Sequence, residues 1–311
     1  MPSLEATGSL AARKASSRKW RKIKDFSVAY SFIIPYMVLI TTFSFIPIVF
    51  VFYYSVQSGS LMGNMEFVGL DNFIRVLTTQ RYLNYFVTSF VYVVFTIPIG
   101  QTIAFTLACL LKKNIRGGIS AFLETTIFLP LLVSMVGAGI IISFLFTPQG
   151  PINYLIMLMG FEPVRWLGTT VGARTMIIVL ELWKGLGLFV FVYLTALRGV
   201  PTDYYEVAQI EGAKAYQTLY YITLPMVRRT IFFCVTMTFI WQVQIFDSVF
   251  VTTQGRPFEY TKTVVYAIYE NTFLRNNPGF GSAMSVLFLS IILFVTALQN
   301  FLSKKFETLE Y

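Results

Sequence analysis

Six stretches of this chain are each long and apolar enough to cross a bilayer, and this narrows the fold more than any other feature. They run roughly over Ala29–Val56, Tyr85–Leu111, Ala121–Thr147, Met176–Leu197, Ile231–Val251 and Ala283–Leu302. A helix needs about 20 mostly apolar residues to span the hydrocarbon layer. Of the 311 residues, 56% are hydrophobic and only 13% are charged, against about 25% charged in a soluble domain. A core of ordinary size cannot hide that much apolar side chain. The expected fold is an all-α integral membrane protein with six transmembrane helices. Its expected organisation is a basic tail over 1–28, a transmembrane body over 29–303 and a short tail over 304–311. Pro35, Pro47, Pro98 and Pro130 fall inside spans, where kinks are tolerated if neighbouring helices satisfy the freed carbonyls.

The first apolar run is too long for the 7–15-residue core of a signal peptide, and no small-residue cleavage pattern follows it. It reads as an uncleaved first span. Lys and Arg set the orientation. Sixteen of the 24 lie between Arg13 and Lys24, in the second-to-third connection, around residues 198–229, and at Lys304 and Lys305. Seven lie in the opposite loops, and Lys184 lies within the fourth span. This excess places both termini and the 201–225 loop in the cytoplasm. The net charge of +9 is then a topology signal, not a nucleic-acid surface.

The absence of histidine removes the usual general base and the commonest metal ligand. Cys109 and Cys234 lie in apolar runs without metal-site spacing. An intramembrane enzyme would have only a Ser-Lys pair available, with Lys184 as its lysine.

Between the fourth and fifth spans lies YYEVAQIEGAKAYQTLYYITLP, Tyr204–Pro225. Thr202 or Asp203 can cap a helix start, and Asp203 and Glu206 suit the positive end of its dipole. Gly212 can turn left-handed and end that helix near Glu211. A second short helix is expected from Ala213 or Lys214, ending before Leu224-Pro225. Ala208, Gly212, Ala213 and Ala215 allow close approach of another surface. Tyr204, Tyr205, Tyr216, Tyr220 and Tyr221 offer contact area. Two occupants suit such a hairpin: a protein socket, or the membrane interface.

The order Glu206-Val207-Ala208, Glu211-Gly212-Ala213 and Ile222-Thr223-Leu224-Pro225 resembles the signature loop of permease subunits of binding-protein-dependent ABC importers. Val207 stands where the family favours alanine, and Glu211 where it favours aspartate. FVGLDNF (Phe67–Phe73), PINYLIMLMG (Pro151–Gly160) with Trp166, TTQGRP (Thr252–Pro257) and GFGSAMSVLF (Gly279–Phe288) also resemble family segments. They are closest to the carbohydrate-type branch. The resemblance implies a permease that forms a translocation path with a second permease. It implies two ATP-binding subunits seated on the coupling loops, and an extracytoplasmic solute-binding protein. The loop residues implied in ATPase coupling are Glu206, Ala208, Glu211, Gly212, Ala213, Leu224 and Pro225. No G-x-x-x-x-G-K-[ST] occurs, so ATP and Mg are expected to be used by the partner ATPases and no cofactor by this chain. The expected location is the bacterial or archaeal inner membrane.

Intramembrane polar groups are costly and usually face a cavity. Lys184, Trp241, Gln242, Gln244 and Asp247 are therefore candidates for the solute path, with inter-helix hydrogen bonding as the other reading. Glu181 and Lys184, three apart, can pair on one helix face. Gly137, Gly139, Gly185 and Gly187 read as close-packing positions. A stand-alone secondary transporter is the rival function, although such carriers often show inverted repeats that this chain does not.

Overall fold

The computed structural model describes residues 30–60, 63–114 and 118–307. The basic tail over 1–28, Ala29 and the last four residues lie outside them. Contacts divide the chain into two compact units, Met1–Tyr54 and Ser55–Tyr311. The described part of the first unit is helix, and the first span as a whole covers Tyr30–Ser55. It widens into a π-turn at Thr41–Phe45, just ahead of Pro47. Proline lacks an amide hydrogen, so a wider turn is a common way to accommodate it.

In the second unit, four helices are long and apolar enough to cross a membrane by length and composition: Gln80–Lys112, Thr170–Arg198, Ala215–Val243 and Pro278–Ser303. The expected third span is not one rod. Helix Gly118–Leu132 and helix Met135–Leu145 meet at a 102° bend. With the bent pair counted once, the described residues hold up to six spans.

The fifth span also departs from expectation. It was placed at Ile231–Val251, but helix begins at Ala215 and stops at Val243, and a short helix, Asp247–Thr252, follows. Arg228 and Arg229 lie within this helix, and the long cationic stems of arginine can reach toward the interface. The second loop helix accordingly does not end before Leu224-Pro225. It passes through a π-turn, Leu219–Thr223, in which the Leu224 amide donates to Leu219 O. The wide turn carries the helix past Pro225 without a break. The last helix continues to Glu307, so backbone order extends past the expected boundary at 303.

The second and fourth spans form the main contact of the unit. Ala104, Ala108, Tyr193, Leu194 and Leu197 are buried along one shared cluster, and Tyr92, Ile177 and Val249 along another. Small residues set how closely helices approach. A Cβ on Gly187 would fall 2.5 Å from Ile127 O and 3.0 Å from Phe128 Cα, so backbone meets backbone there. A Cβ on Gly139 would collide with Val251, which packs the second half of the broken third span against helix Asp247–Thr252. Gly185 differs, since its nearest neighbour is Phe189 Cε2 at 4.0 Å.

On the opposite side from the 201–225 loop, buried asparagines staple the connections. Asn72 donates to Ser55 O at 3.1 Å and Gln57 O at 2.8 Å, below a two-stranded antiparallel hairpin, Gln57–Gly59 with Met65–Phe67. Asn153 is fully buried. It donates to Thr147 O, Pro148 O and Val164 O, and accepts from Val164 N and Trp166 Nε1. The FVGLDNF and PINYLIMLMG motifs are thus loop-closing devices.

Gly187→Ala should destabilise the protein by about 1–3 kcal/mol, because overpacking against backbone cannot relax by a rotamer change. Gly185→Ala should stay within about 0.5 kcal/mol of the parent. Thermal unfolding of the two purified variants distinguishes them.

Candidate functional site

The 201–225 loop is a rigid hairpin. Its first helix, Asp203–Ile210, starts without the side-chain cap expected from Thr202 or Asp203. Thr202 has helical backbone angles and offers only its carbonyl, to Tyr205 N and Glu206 N. The helix ends in a Schellman arrangement: Ala213 N donates to Ala208 O at 2.9 Å and Gly212 N to Gln209 O at 3.1 Å. Gly212 sits at φ +75°, with nothing within 4 Å of where a Cβ would be. Glycine is needed there for its backbone angle, not for space. Lys214 N then donates to Gln217 Oε1 at 2.7 Å and starts the second helix.

Seven expected coupling residues fall on this hairpin. Ala208 is buried inside it, Ala213 and Leu224 are half-buried, and Glu206, Glu211, Gly212 and Pro225 are exposed. No ion pair to Glu206 or Glu211 occurs among the described residues. Ile210 is 85% exposed and Tyr221 80% exposed. Val207, Tyr204, Tyr216 and Tyr220 are also exposed. The hairpin thus combines exposed apolar and aromatic side chains with the exposed charges of Glu206, Glu211 and Lys214.

Within the membrane body a second polar cluster joins three spans. Tyr193 OH donates to Gln101 Oε1 at 2.6 Å, Gln101 Nε2 to Thr238 Oγ1 at 2.7 Å, and Thr238 Oγ1 to Cys234 O at 2.8 Å. Beside it, Gln242 Nε2 donates to Glu181 Oε2 at 3.1 Å. Gln242 Oε1 has no hydrogen-bond partner among the described residues. Gly100, Gln101, Glu181, Gly185, Thr238 and Gln242 line a cavity of about 20 Å³, room for a single water.

The expected Glu181–Lys184 pair does not form. Lys184 Nζ turns instead to the carbonyls of Leu131 and Val133, at the bend of the third span. A broken helix in lipid leaves carbonyls that water cannot reach, and a cation at a helix C-terminus also answers its dipole. The break thus offers Lys184 two acceptors at once. Gln244 donates to Ile240 O of its own helix at 2.8 Å. Trp241 is exposed near the end of the fifth-span helix, Gln244 and Asp247 are exposed at the break that follows it, and Gln242 is buried. Of the five solute-path candidates, Trp241, Gln244 and Asp247 are each exposed, and Lys184 and Gln242 make internal bonds.

Sequence reading missed the ion network on the other side of the membrane body. Arg81 meets Glu259 at 2.5 Å, Lys262 meets Glu259 at 2.9 Å and Glu270 at 2.5 Å, and Arg275 meets Glu270 at 2.8 Å. Arg174 donates to Tyr260 O and to Thr88 Oγ1. These bonds fasten the connection between the fifth and sixth spans to the second and fourth. Burial pushes the Glu259 carboxyl up, but hydrogen bonds from Arg81, Lys262 and Tyr85 outweigh it and bring the group down to about 2. Glu270 is likewise lowered, with hydrogen bonds from Lys262 and Arg275 overcoming its desolvation.

Residues 55–308 match the family of binding-protein-dependent transport system inner membrane components. The chain belongs to that family. It is a membrane-spanning permease subunit of a binding-protein-dependent ABC transporter, which sets aside the stand-alone carrier. The arabinooligosaccharides transport permease AraP of Halalkalibacterium halodurans is 29% identical over 283 residues, covering 90% of this chain and 89% of that one. The lactose transport permease LacF of Rhizobium radiobacter is 30% identical over 275 residues, covering 87% and 91%. A crystal structure of a bacterial ABC transporter that imports the acidic polysaccharide alginate superposes with a TM-score of 0.82 at 20% identity, covering 93% of this permease and 99% of that chain. That likeness shows the shared fold.

A carboxylate held low stabilises the folded state above its unfolded value, and the contribution is lost as pH falls through the folded value. For Glu259 the window lies between 4.5 and about 2. Glu259→Gln should lower stability by about 1 kcal/mol at neutral pH, a figure discounted for the group's partial exposure. The gap to the parent should close as pH drops below 4.5, read as unfolding midpoints across a pH series.

Proposed function

We propose that this permease pairs with a second permease to carry a sugar or sugar-like solute inward through the cytoplasmic membrane of a prokaryote. An extracytoplasmic binding protein delivers the solute. Two ATPase subunits, using ATP and Mg, seat on the 201–225 hairpin and its counterpart in the second permease. Both termini and the hairpin face the cytoplasm, as the distribution of Lys and Arg supports. The chain itself contributes no hydrolytic chemistry. Its part is to convert ATPase closure into movement of the spans.

The observation that carries this reading is the hairpin. It is stiffened at its tip by the Gly212 turn, presents Ile210 and Tyr221 outward, and is continuous in helix with the fifth span through Leu219–Thr223. A displacement of its tip is therefore transmitted to a transmembrane helix without an intervening flexible loop. The sugar class draws on the relatives' names and on the exposed Trp241, Gln244 and Asp247 around the break that follows the fifth-span helix. An indole ring with amide and carboxylate neighbours can stack on and hydrogen-bond a hydroxylated ring. The alginate importer also has a structure in complex with an oligosaccharide-bound periplasmic protein, in keeping with delivery from outside.

Gly212→Val forces a β-branched residue into a left-handed angle, at a cost of about 1–2 kcal/mol or more, confined to the hairpin. The variant should insert and unfold like the parent. It should retain several-fold less ATPase subunit on co-purification and lose solute uptake. Full co-purification with undiminished uptake would contradict the proposal.

A further inference from the structure

The five tyrosines of the hairpin do not act alike. Tyr204, Tyr216, Tyr220 and Tyr221 are exposed. Tyr205 turns inward and packs against the cluster of Leu111, Leu197, Val200 and Val227. Its hydroxyl lies 3.4 Å from Thr223 Oγ1, in the π-turn that leads into the fifth span. The hydroxyl of Thr223 also reaches Thr218 O at 3.3 Å, so the Tyr205 hydroxyl is the donor of the pair.

Against the ring of Tyr205 stands the end of the second span. Lys112 Nζ lies 4.1 Å from the ring centroid. That ammonium is fully covered and has no hydrogen-bond partner among the described residues. A covered cation without an anion or acceptor is unfavourable. The face of an aromatic ring is the compensation available to it, and the attraction strengthens when water is excluded. A leucine at 112 would pack there without that cost. What lysine adds is direction, since its charge must stay over the ring face wherever the ring moves.

We propose that Lys112 and Tyr205 are positioning residues that tie the hairpin to the second span, so that a push on the hairpin moves the second and fifth spans together. This rests on the coupling role proposed above and goes beyond it. The second span packs along the fourth through Ala104 and Ala108 and carries Gln101 of the intramembrane polar cluster. The Lys112–Tyr205 contact thus gives the hairpin a second route to the groups that line the polar cavity, besides the fifth span itself. Without it, ATPase closure would drive the fifth span while the second lagged, and ATP would be consumed with less solute moved.

The test uses the complete importer, with both permeases, its ATPases and its binding protein, reconstituted in vesicles. Uptake and ATP hydrolysis are measured together for Lys112→Met, Lys112→Arg, Tyr205→Leu and Tyr205→Phe, alongside subunit co-purification. Solute moved per ATP should fall about five- to tenfold in Lys112→Met and Tyr205→Leu. It should stay within about twofold of the parent in Lys112→Arg and Tyr205→Phe, which keep the cation or the ring. All four should retain their ATPase subunits. A parental ratio in both Lys112→Met and Tyr205→Leu overturns the inference. So does loss of the ATPase subunits from those two variants, because the contact would then serve docking. A parent importer whose uptake needs no ATP would instead refute the coupling reading underneath.

Discussion

In hydrocarbon, a backbone group that loses its helical partner has no water to turn to. This constraint bears on the departures from straight helix within the described spans. The third span breaks by 102°, and Lys184 from the fourth span supplies donors to Leu131 O and Val133 O. After that break, Ser134 caps the second half by accepting from Gly137 N at 3.1 Å. The fifth span breaks after Val243, and Thr263 Oγ1 donates to Ile245 O at 2.6 Å. Where proline removes a donor near Pro47 and Pro225, the helix widens into a π-turn instead of breaking. The bends are specific and internally bonded, which lets the helices act as rigid levers.

The two ends of the membrane body are built differently. Toward the loop side opposite the hairpin, ions and buried asparagines fix the connections. The Arg81–Glu259–Lys262–Glu270–Arg275 network and Arg174 on Tyr260 O bind the second and fourth spans to one loop. At the other end the hairpin leaves its apolar tip uncovered, with Glu206 and Glu211 exposed beside it. One end is closed on itself by ion pairs and buried asparagines, and the other presents exposed apolar side chains. Between them, Gln101, Thr238 and Tyr193 join the second, fourth and fifth spans by side-chain bonds. Such bonds fix helix register where apolar packing alone would allow sliding.

Much of the fold was legible because lipid imposes a simple length rule. The first, second, fourth and sixth spans were found within several residues. The hairpin was legible from Gly212 and the flanking motifs, and its turn has the expected left-handed glycine. What escaped depended on partners distant in sequence. Pro130 signals a kink in the third span but not a 102° break at Val133-Ser134, and the donor that supports the break lies 51 residues away. The same carbonyls withdrew Lys184 from the pairing with Glu181 that their three-residue spacing suggested. The start of the fifth span was placed late because Arg228 and Arg229 read as loop, and Pro225 read as a helix boundary. The outer ion network was invisible because Arg81 and Glu259, 178 residues apart, look like ordinary loop charges until the chain is folded.

The central claim is that breaks in the spans persist because particular side chains satisfy the freed backbone, and the Lys184 bond states it most simply. The measurement is the unfolding midpoint of the purified permease carrying Lys184→Met or Lys184→Arg. Methionine fills the space but donates nothing, and should cost about 2 kcal/mol or more. Arginine keeps donors within reach of both carbonyls and should recover most of that loss. If the methionine variant is as stable as the parent, the bend at Val133 is held by something other than Lys184 and the account is wrong.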